Sequence, residues 1–126
     1  MMIEKDHLVV EKSKVAGLGL FTLKSIKKGD FICFYKGHYL NYEQFCVKYQ
    51  NTNPSYVFQI SKNLFIDAKD YLEQYGRYIN SASHTAYSQN CIFKINQRTK
   101  TVSVYAKTDI PANSELFISY GKSYKL

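Results

Sequence analysis

Several side chains in this sequence have the chemistry to bind carboxylate and amine groups. Gly17 and Gly19 let a backbone approach a ligand closely, because glycine has no Cβ in the way. Arg77 can bind a carboxylate through two parallel hydrogen bonds, and the amide of Asn80 can donate and accept at the same time. The ring of Tyr35 suits an amine carried on a long apolar stem, and its hydroxyl can orient nitrogen.

Taken singly, these residues have simpler structural explanations. A Gly-x-Gly segment between two strands is more often only a turn. Because the chain has 12 tyrosines, Tyr35 on its own would more often be a core aromatic. The order in which the segments follow one another is therefore more informative than any one residue.

The composition indicates one small basic domain. The chain has 126 residues, of which 45% are apolar and 16% aromatic, enough for a modest core. Lys and Arg outnumber Asp and Glu by 17 to 10, and the net charge of +7 favours acidic partners such as nucleic acid. The basic residues are spread along the chain and no DNA-reading motif is present, so general solubility is an equally good explanation.

The cysteines and the termini bear on the cellular compartment. Cys33, Cys46 and Cys91 are odd in number and lack the spacing of a zinc site or a redox motif, which predicts buried thiols and no metal. No stretch has the length of a signal peptide or of a membrane span. We therefore expect a location in the nucleus or cytoplasm, and no membrane.

Short strands are expected to position these residues. Residues 7–11, 20–23 and 31–35 are rich in strand formers, and the last of these segments should be buried on both faces. Residues 56–60 with 64–67, and 91–96 with 101–105, are predicted hairpins. One helix should begin after Asn41, whose side chain can form a capping box with Gln44. Its apolar face is predicted to comprise Tyr42, Phe45, Cys46 and Tyr49.

Four segments, 17–21, 76–81, 89–91 and 115–121, resemble in sequence and order the SET-domain protein lysine methyltransferases. This resemblance implies a mainly β (β-rich α+β) fold of several small sheets, with one short helix and a knot-like C-terminal threading, a pseudoknot. The SET domain would span residues 7–121, with terminal arms at 1–6 and 122–126.

The resemblance also implies a cofactor, S-adenosylmethionine, and a site. Tyr120 and Tyr35 would be catalytic, Tyr120 beside the methyl-transfer centre and Tyr35 in the channel for the substrate lysine. Further residues would surround the cofactor and the lysine. Cofactor-binding residues would be Gly17, Leu18, Gly19, Arg77, Asn80 and Ser81, and the channel would be lined by Tyr35, Phe93, Ile118 and Tyr105.

Some positions have structural roles or depart from the family pattern. Asp67 is expected to act as a turn or capping residue, and Asn90 to brace the knotted crossing. Asn113 replaces the usual glycine, which asparagine can do because it tolerates left-handed backbone angles. Residues 80–83 are Asn-Ser-Ala-Ser, where most members have Asn-His-Ser-Cys. The PR subgroup of the family also lacks this histidine.

The expected activity is methyl transfer from S-adenosylmethionine to a lysine side chain, most often on a histone or nucleosome, by direct displacement without a metal. Ile118 and Phe93 offer no hydroxyl beside the channel, which favours di- or trimethylation. A catalytically degenerate SET-like module that binds nucleic acid or a protein partner is the alternative. The chain could be a monomer or a homodimer, with DNA contacts through its basic surface, in the host nucleus if a virus or intracellular microbe encodes it.

Overall fold

The computed structural model describes residues 7–119, which form short strands, one α-helix and a 3₁₀ helix at Tyr75–Tyr78. In chain order the elements are β1 (Leu8–Lys12), β2 (Leu18–Thr22), β3 (Phe31–Phe34), β4 (His38–Leu40), α1 (Tyr42–Lys48), β5 (Val57–Ser61), β6 (Leu64–Asp67), β7 (Asn80–Ser81), β8 (Cys91–Asn96), β9 (Thr101–Ala106), β10 (Ser114–Glu115) and β11 (Phe117–Ile118). The prediction of a mainly β chain with one short helix is confirmed.

The strands make three small sheets, with the orders β1-β2-β10, β3-β9-β8-β11-β7 and β4-β6-β5. Strands β5 and β6 pair antiparallel, as do β8 and β9, so both predicted hairpins are confirmed. In β9, buried Val102, Val104 and Ala106 alternate with less buried residues, the two-residue period of a strand with one face on the core.

The C-terminal strand is threaded through the fold. Strand β11 lies between β7 and β8 and runs parallel to both, while residues 82–90 connect those two strands in the chain. Strand β11 therefore passes between two strands that are joined by a single connection. This is the predicted pseudoknot, a rare exception to the rule that connections do not thread one another.

The helix begins where the sequence predicts, but its apolar face is narrower. The Asn41 side chain accepts from the Gln44 amide at 2.8 Å, and the Gln44 side chain accepts from the Asn41 amide at 2.8 Å. The Phe45 ring stacks on Phe65 at 4.6 Å, whereas Tyr42 is 58% exposed and Cys46 is exposed. A helix of 7 residues has only two turns, and none of its residues is buried. Phe45 and the C-cap residue Tyr49, four positions apart, are the partly buried side chains that pack against the sheet.

Two other predictions about burial are wrong. Strand β3 is not buried on both faces, because Phe34 is 42% exposed. The three thiols are not all buried, since Cys46 is exposed on α1 and Cys33 is only partly buried. Cys91 is fully buried, and burial raises the pKa of the Cys33 thiol to about 12, so neither is a reactive thiolate.

The main core joins the sheets around the threaded strand. Leu20 of β2, Val104 of β9, and Leu116 and Ile118 at the C-terminal end are almost completely buried in one cluster. Asn113 has a φ of +64°, the left-handed conformation predicted for it, and its amide donates to the Thr22 carbonyl at 2.7 Å. No helix of the described residues is long and apolar enough to cross a bilayer.

Candidate active site

The two glycines of the first motif are required for different reasons. Gly17 has a φ of +51°, a conformation that strains other residues. Gly19 has no such angle, but a Cβ there would collide with the Glu115 carboxylate. The loop before Gly17 is closed by a hydrogen bond from the Ser13 amide to the Gly17 carbonyl, at 2.8 Å.

The Asn80 side chain connects the central motif to this glycine loop. Its amide nitrogen Nδ2 lies 3.2 Å from the Ala16 carbonyl oxygen and 3.0 Å from that of Leu18. The side-chain oxygen Oδ1 of Asn80 receives no hydrogen bond from any residue in 7–119. Asn80 therefore positions the loop with one end of its amide and leaves the other end available to a ligand.

A buried carboxylate, that of Glu115, completes this connection. Glu115 is only 7% exposed and accepts from the Ser13 hydroxyl at 2.6 Å, the Lys14 amide at 3.3 Å and Asn80 Nδ2 at 3.4 Å. No Lys or Arg within residues 7–119 forms an ion pair with it. Its position in the last motif was the available signal, but two of its partners, Ser13 and Lys14, lie about a hundred residues earlier in the chain.

A pocket of about 510 Å³ opens beside these residues. Four of the six residues predicted to bind the cofactor line it. The lining comprises Ala16, Gly17, Leu18, Tyr56, Leu72, Arg77, Tyr78 and Asn80. The other two lie just behind: Gly19 against Glu115, and Ser81 in β7, paired with Ile118 of β11.

Arg77 forms a positively charged wall of the pocket. Its Nε donates to the Ala68 carbonyl at 2.9 Å and its Nη2 to the Lys69 carbonyl at 3.1 Å. The guanidinium carbon lies 4.1 Å from the Tyr56 ring centroid and 4.8 Å from that of Tyr78. These contacts hold the group in place, and no residue in 7–119 accepts from Nη1, which can therefore donate to an anion.

A cluster of aromatic rings adjoins the pocket and contains two of the predicted channel residues. The rings of Phe58 and Phe93 each lie 5.9 Å from that of Tyr35, which is 2% exposed. The Tyr35 hydroxyl donates to the Tyr56 carbonyl at 2.7 Å. Tyr56, which the sequence analysis missed, thus joins this cluster to Arg77.

The remaining predictions for the channel and for catalysis concern Ile118, Tyr105 and Tyr120. Ile118 is completely buried in the main core, against which Phe93 also packs. Tyr105 lies on the opposite face of the sheet, with its ring centroid 5.7 Å from that of Phe31 and 4.4 Å from Lys94 Nζ. Tyr120 lies outside the described residues, directly after the last of them, Ser119.

The threaded crossing is fixed by Asn90, as the sequence predicts. Its Oδ1 accepts from the Phe117 amide at 2.8 Å, and its Nδ2 donates to the Glu115 carbonyl at 3.0 Å. The Asn90 main-chain amide donates to the Phe117 carbonyl at 3.0 Å. Three hydrogen bonds to two residues of one segment fix where that segment can lie.

Asp67 also has the structural role predicted for it. Its buried carboxylate pairs with Lys48 Nζ at 2.6 Å, and accepts from the Tyr49 hydroxyl at 2.6 Å and the Lys69 amide at 3.0 Å. Burial alone would raise the pKa of Asp67, but the bonds from Lys48, Tyr49 and the amide outweigh it and lower the pKa below 3.8. This carboxylate attaches α1 to β6. Within residues 7–119, no three His, Cys, Asp or Glu side chains are grouped to hold a metal ion.

A SET-domain family model matches residues 17–121, which include the glycine loop, Arg77, both asparagines and the threaded strand. The chain belongs to the SET-domain family. This membership confirms the resemblance that the four segments indicated.

Relatives and solved structures of this family are similar over nearly the whole chain. The chain is 30% identical to a putative histone-lysine N-methyltransferase 1 of Plasmodium falciparum, over 90% of this chain and 2% of the relative. It is 26% identical to the histone-lysine N-methyltransferase EZ2 of Zea mays, over 95% of this chain and 13% of the relative. This SET domain thus spans only a small part of the length of these relatives.

Among solved structures, a Chaetomium thermophilum Polycomb Repressive Complex 2 in an autoinhibited conformation bound to S-adenosylmethionine matches with a TM-score of 0.74 and 27% identity. A humanized mutant of that complex bound to the inhibitor GSK126 matches with a TM-score of 0.77 and 26% identity. Each match covers 92% of this chain and 15% of the other. The fold of this chain is therefore that of a SET domain.

Proposed function

We propose that this SET domain is a protein lysine N-methyltransferase that uses S-adenosylmethionine. The observation that carries the proposal is the pocket where the glycine loop, Arg77 and Asn80 meet, beside the Tyr35 cluster. The names of its relatives, and the S-adenosylmethionine bound to one similar structure, support the same activity.

The chemistry of the pocket suits the amino-acid end of this cofactor. Arg77 Nη1 can donate to a carboxylate, and Asn80 Oδ1 can accept from an ammonium group. The carbonyls of Ala16 and Leu18 already accept from Asn80, but a carbonyl oxygen has two lone pairs and can accept a second bond. When bound, S-adenosylmethionine supplies a methyl group activated by a sulfonium.

The protein's own part in the reaction would be alignment and exclusion of water. The Tyr35 hydroxyl donates to the Tyr56 carbonyl, so we assign its ring, with Phe93, to the wall of the lysine channel. We assign to Tyr120 the hydroxyl that orients the incoming lysine nitrogen in its neutral form. We leave Tyr105 out of this channel, because it lies on the face of the sheet opposite to Phe93.

The proposed substrate is a lysine of a histone, in the nucleus, because the relatives are named as histone-lysine methyltransferases. Exposed Asp70 and Glu73 lie on either side of Leu72, which lines the pocket, and could attract a basic peptide. Since Phe93, beside Tyr35, carries no hydroxyl that could hold a blocking water, and Ile118 is buried in the main core, we propose that the product is di- or trimethyllysine.

One observation favours the alternative, a SET-like binding module without catalysis. The donors of Arg77 and Asn80 are largely used within the protein, on the carbonyls of Ala68 and Lys69 and of the glycine loop. A pocket whose polar groups satisfy one another can persist for stability alone. Cofactor binding distinguishes the two functions.

The test is transfer of labelled methyl from S-adenosylmethionine to nucleosomes, free histones and a cell extract, with calorimetry of cofactor binding in parallel. We expect label on lysine, and a loss of about 10²-fold or more in Tyr120→Phe. The matched control is Tyr42→Phe, on the exposed side of α1, which should leave transfer unchanged. Absence of both cofactor binding and transfer would support the binding module instead.

A further inference from the structure

The outer face of strands β3, β9 and β8 carries a continuous row of aromatic and basic side chains, which we name the outer strip: Phe31, Phe34, Lys36, Lys94 and Tyr105. Register places four of them on one face, since Phe31 is opposite Tyr105, and Phe34 and Lys94 are both opposite Ser103 of β9. Lys36 follows β3 and lies over the Phe34 ring. The Phe31 ring centroid lies 5.0 Å from that of Phe34 and 5.7 Å from that of Tyr105. Three rings thus form one contiguous surface.

A lysine ammonium group lies at each end of this surface. Lys36 Nζ lies 5.4 Å from the Phe34 ring centroid, and Lys94 Nζ lies 4.4 Å from that of Tyr105. Both lysines are exposed, and Phe34 is 42% exposed. The strip therefore offers three apolar rings packed edge to face, with a positive charge beside each of the two outer rings. Phe31 and Tyr105 are partly buried, so Phe34 and the two lysines are its most exposed members.

The two chain segments that carry the strip are basic. Residues 31–42 and 91–108 hold no Asp or Glu. Their Lys and Arg side chains are Lys36, Lys94, Arg98, Lys100 and Lys107. Asp30 directly precedes the first segment, and Asp109 directly follows the second. Their carboxylates accept from the Lys27 amide at 3.3 Å and from the Lys28 amide at 2.8 Å, so both are engaged by one turn. The partner of this face should therefore be negatively charged.

We propose that the outer strip binds single-stranded nucleic acid, with bases stacked on the rings of Phe34 and Tyr105 and phosphates beside Lys36 and Lys94. Aromatic platforms in a positively charged groove are how sequence-tolerant single-strand binders work. A duplex keeps its bases stacked on one another and cannot offer their faces to these rings. A second copy of the chain is disfavoured, because it would place like charges against each other.

The charge of the strip is tested by fluorescence anisotropy with labelled single-stranded oligonucleotides of about 16 nucleotides, DNA and RNA in turn. Lys36→Glu/Lys94→Glu should weaken binding at least about 10-fold and reduce the salt dependence. The control, Lys24→Glu/Lys62→Glu, changes the net charge equally at two exposed lysines elsewhere and should retain most of the affinity. Equal losses in both variants would overturn the proposal in favour of diffuse charge attraction.

The rings are tested separately with Phe34→Leu/Tyr105→Leu, which keeps apolar volume and net charge. We expect a loss of about 10-fold or more, because each stacked base contributes strongly to affinity, with the salt dependence unchanged. Tyr42→Leu, at an exposed ring outside the strip, is the control. Thermal unfolding of each variant shows whether the fold is retained, and the single variants Phe34→Leu and Tyr105→Leu replace a double variant that does not fold.

Two further outcomes would overturn the proposal. A duplex of the same length that competes as well as the single strand would show that the strip binds phosphate charge alone and does not stack on bases. Light scattering that finds a dimer dissociated by Lys36→Glu/Lys94→Glu would assign the strip to self-association. The test needs no methyltransferase activity, so its result and that of the proposed function are independent.

Discussion

Two asparagines in neighbouring parts of this fold make similar hydrogen bonds for different purposes. Asn90 bonds the backbone of the C-terminal segment on both sides of Leu116, through Glu115 and Phe117. Asn80 bonds the backbone of the glycine loop on both sides of Gly17, through Ala16 and Leu18. In both the crossing around Asn90 and the pocket rim around Asn80, one side-chain amide therefore bonds two backbone groups of a distant segment.

The difference lies in which atoms remain available. Asn90 uses both ends of its amide within the protein, since Oδ1 accepts from Phe117 and Nδ2 donates to Glu115. Asn80 uses only Nδ2, and its Oδ1 faces no donor in the described part of the chain. A fully used amide stabilises the fold, whereas a half-used one can both shape a pocket and contact its ligand.

The largest effect is expected when the crossing loses its amide. Asn90→Ala leaves the Phe117 amide and the Glu115 carbonyl without their partner, and we expect the free energy of unfolding to fall by about 2–4 kcal/mol. Urea unfolding followed by circular dichroism measures it. Asn53→Ala, at an exposed asparagine, is the control and should change stability little. A loss below about 1 kcal/mol would mean that main-chain bonds alone hold the crossing.

Asp67 provides a charged anchor for comparison with the two asparagines, whose amides do not titrate. Its pKa is lowered in the folded state, so the stability it contributes is present above the unfolded pKa, near 3.8, and is lost as pH falls through the lower folded value. Asp67→Asn should lower stability at neutral pH by about 1–3 kcal/mol. It should also flatten the decline of stability in acid.

Chemical unfolding at a series of pH values below neutral measures this dependence. Asp70→Asn, at an exposed carboxylate on the neighbouring turn, is the matched control and should keep the slope of the native protein. An unchanged acid slope in Asp67→Asn would show that other carboxylates determine the acid sensitivity.

The smallest effect on stability is expected at the pocket rim. Asn80→Ala removes bonds to an exposed loop, so we expect the free energy of unfolding to fall by about 1 kcal/mol or less. Affinity for S-adenosylmethionine should fall at least about 10-fold, because the loop carbonyls and the ammonium acceptor are both affected. Calorimetry of S-adenosylmethionine binding and urea unfolding, both on Asn80→Ala and Asn90→Ala, test the comparison. The comparison fails if the two variants lose equal amounts of unfolding free energy.

Much of this fold follows from local sequence patterns. The Asn41 cap, both hairpins and the left-handed Asn113 are set by interactions within a few residues, which sequence alone can report. The motif resemblance also selected Gly17, Leu18, Arg77 and Asn80, which do line one pocket. It gave no sign of Tyr56, because a tyrosine among 12 carries no local signal of its partners.

The sequence by itself determined the family, the short strands, the capped helix and most of the residues around the pocket. Only the tertiary structure decided that Glu115 reaches back to Ser13, that Tyr105 faces away from Tyr35, and that one face of β3 is exposed. The physical reason is that capping, turns and strand period act over a few residues. Burial and pairing between distant segments depend on how the threaded strand brings the sheets together.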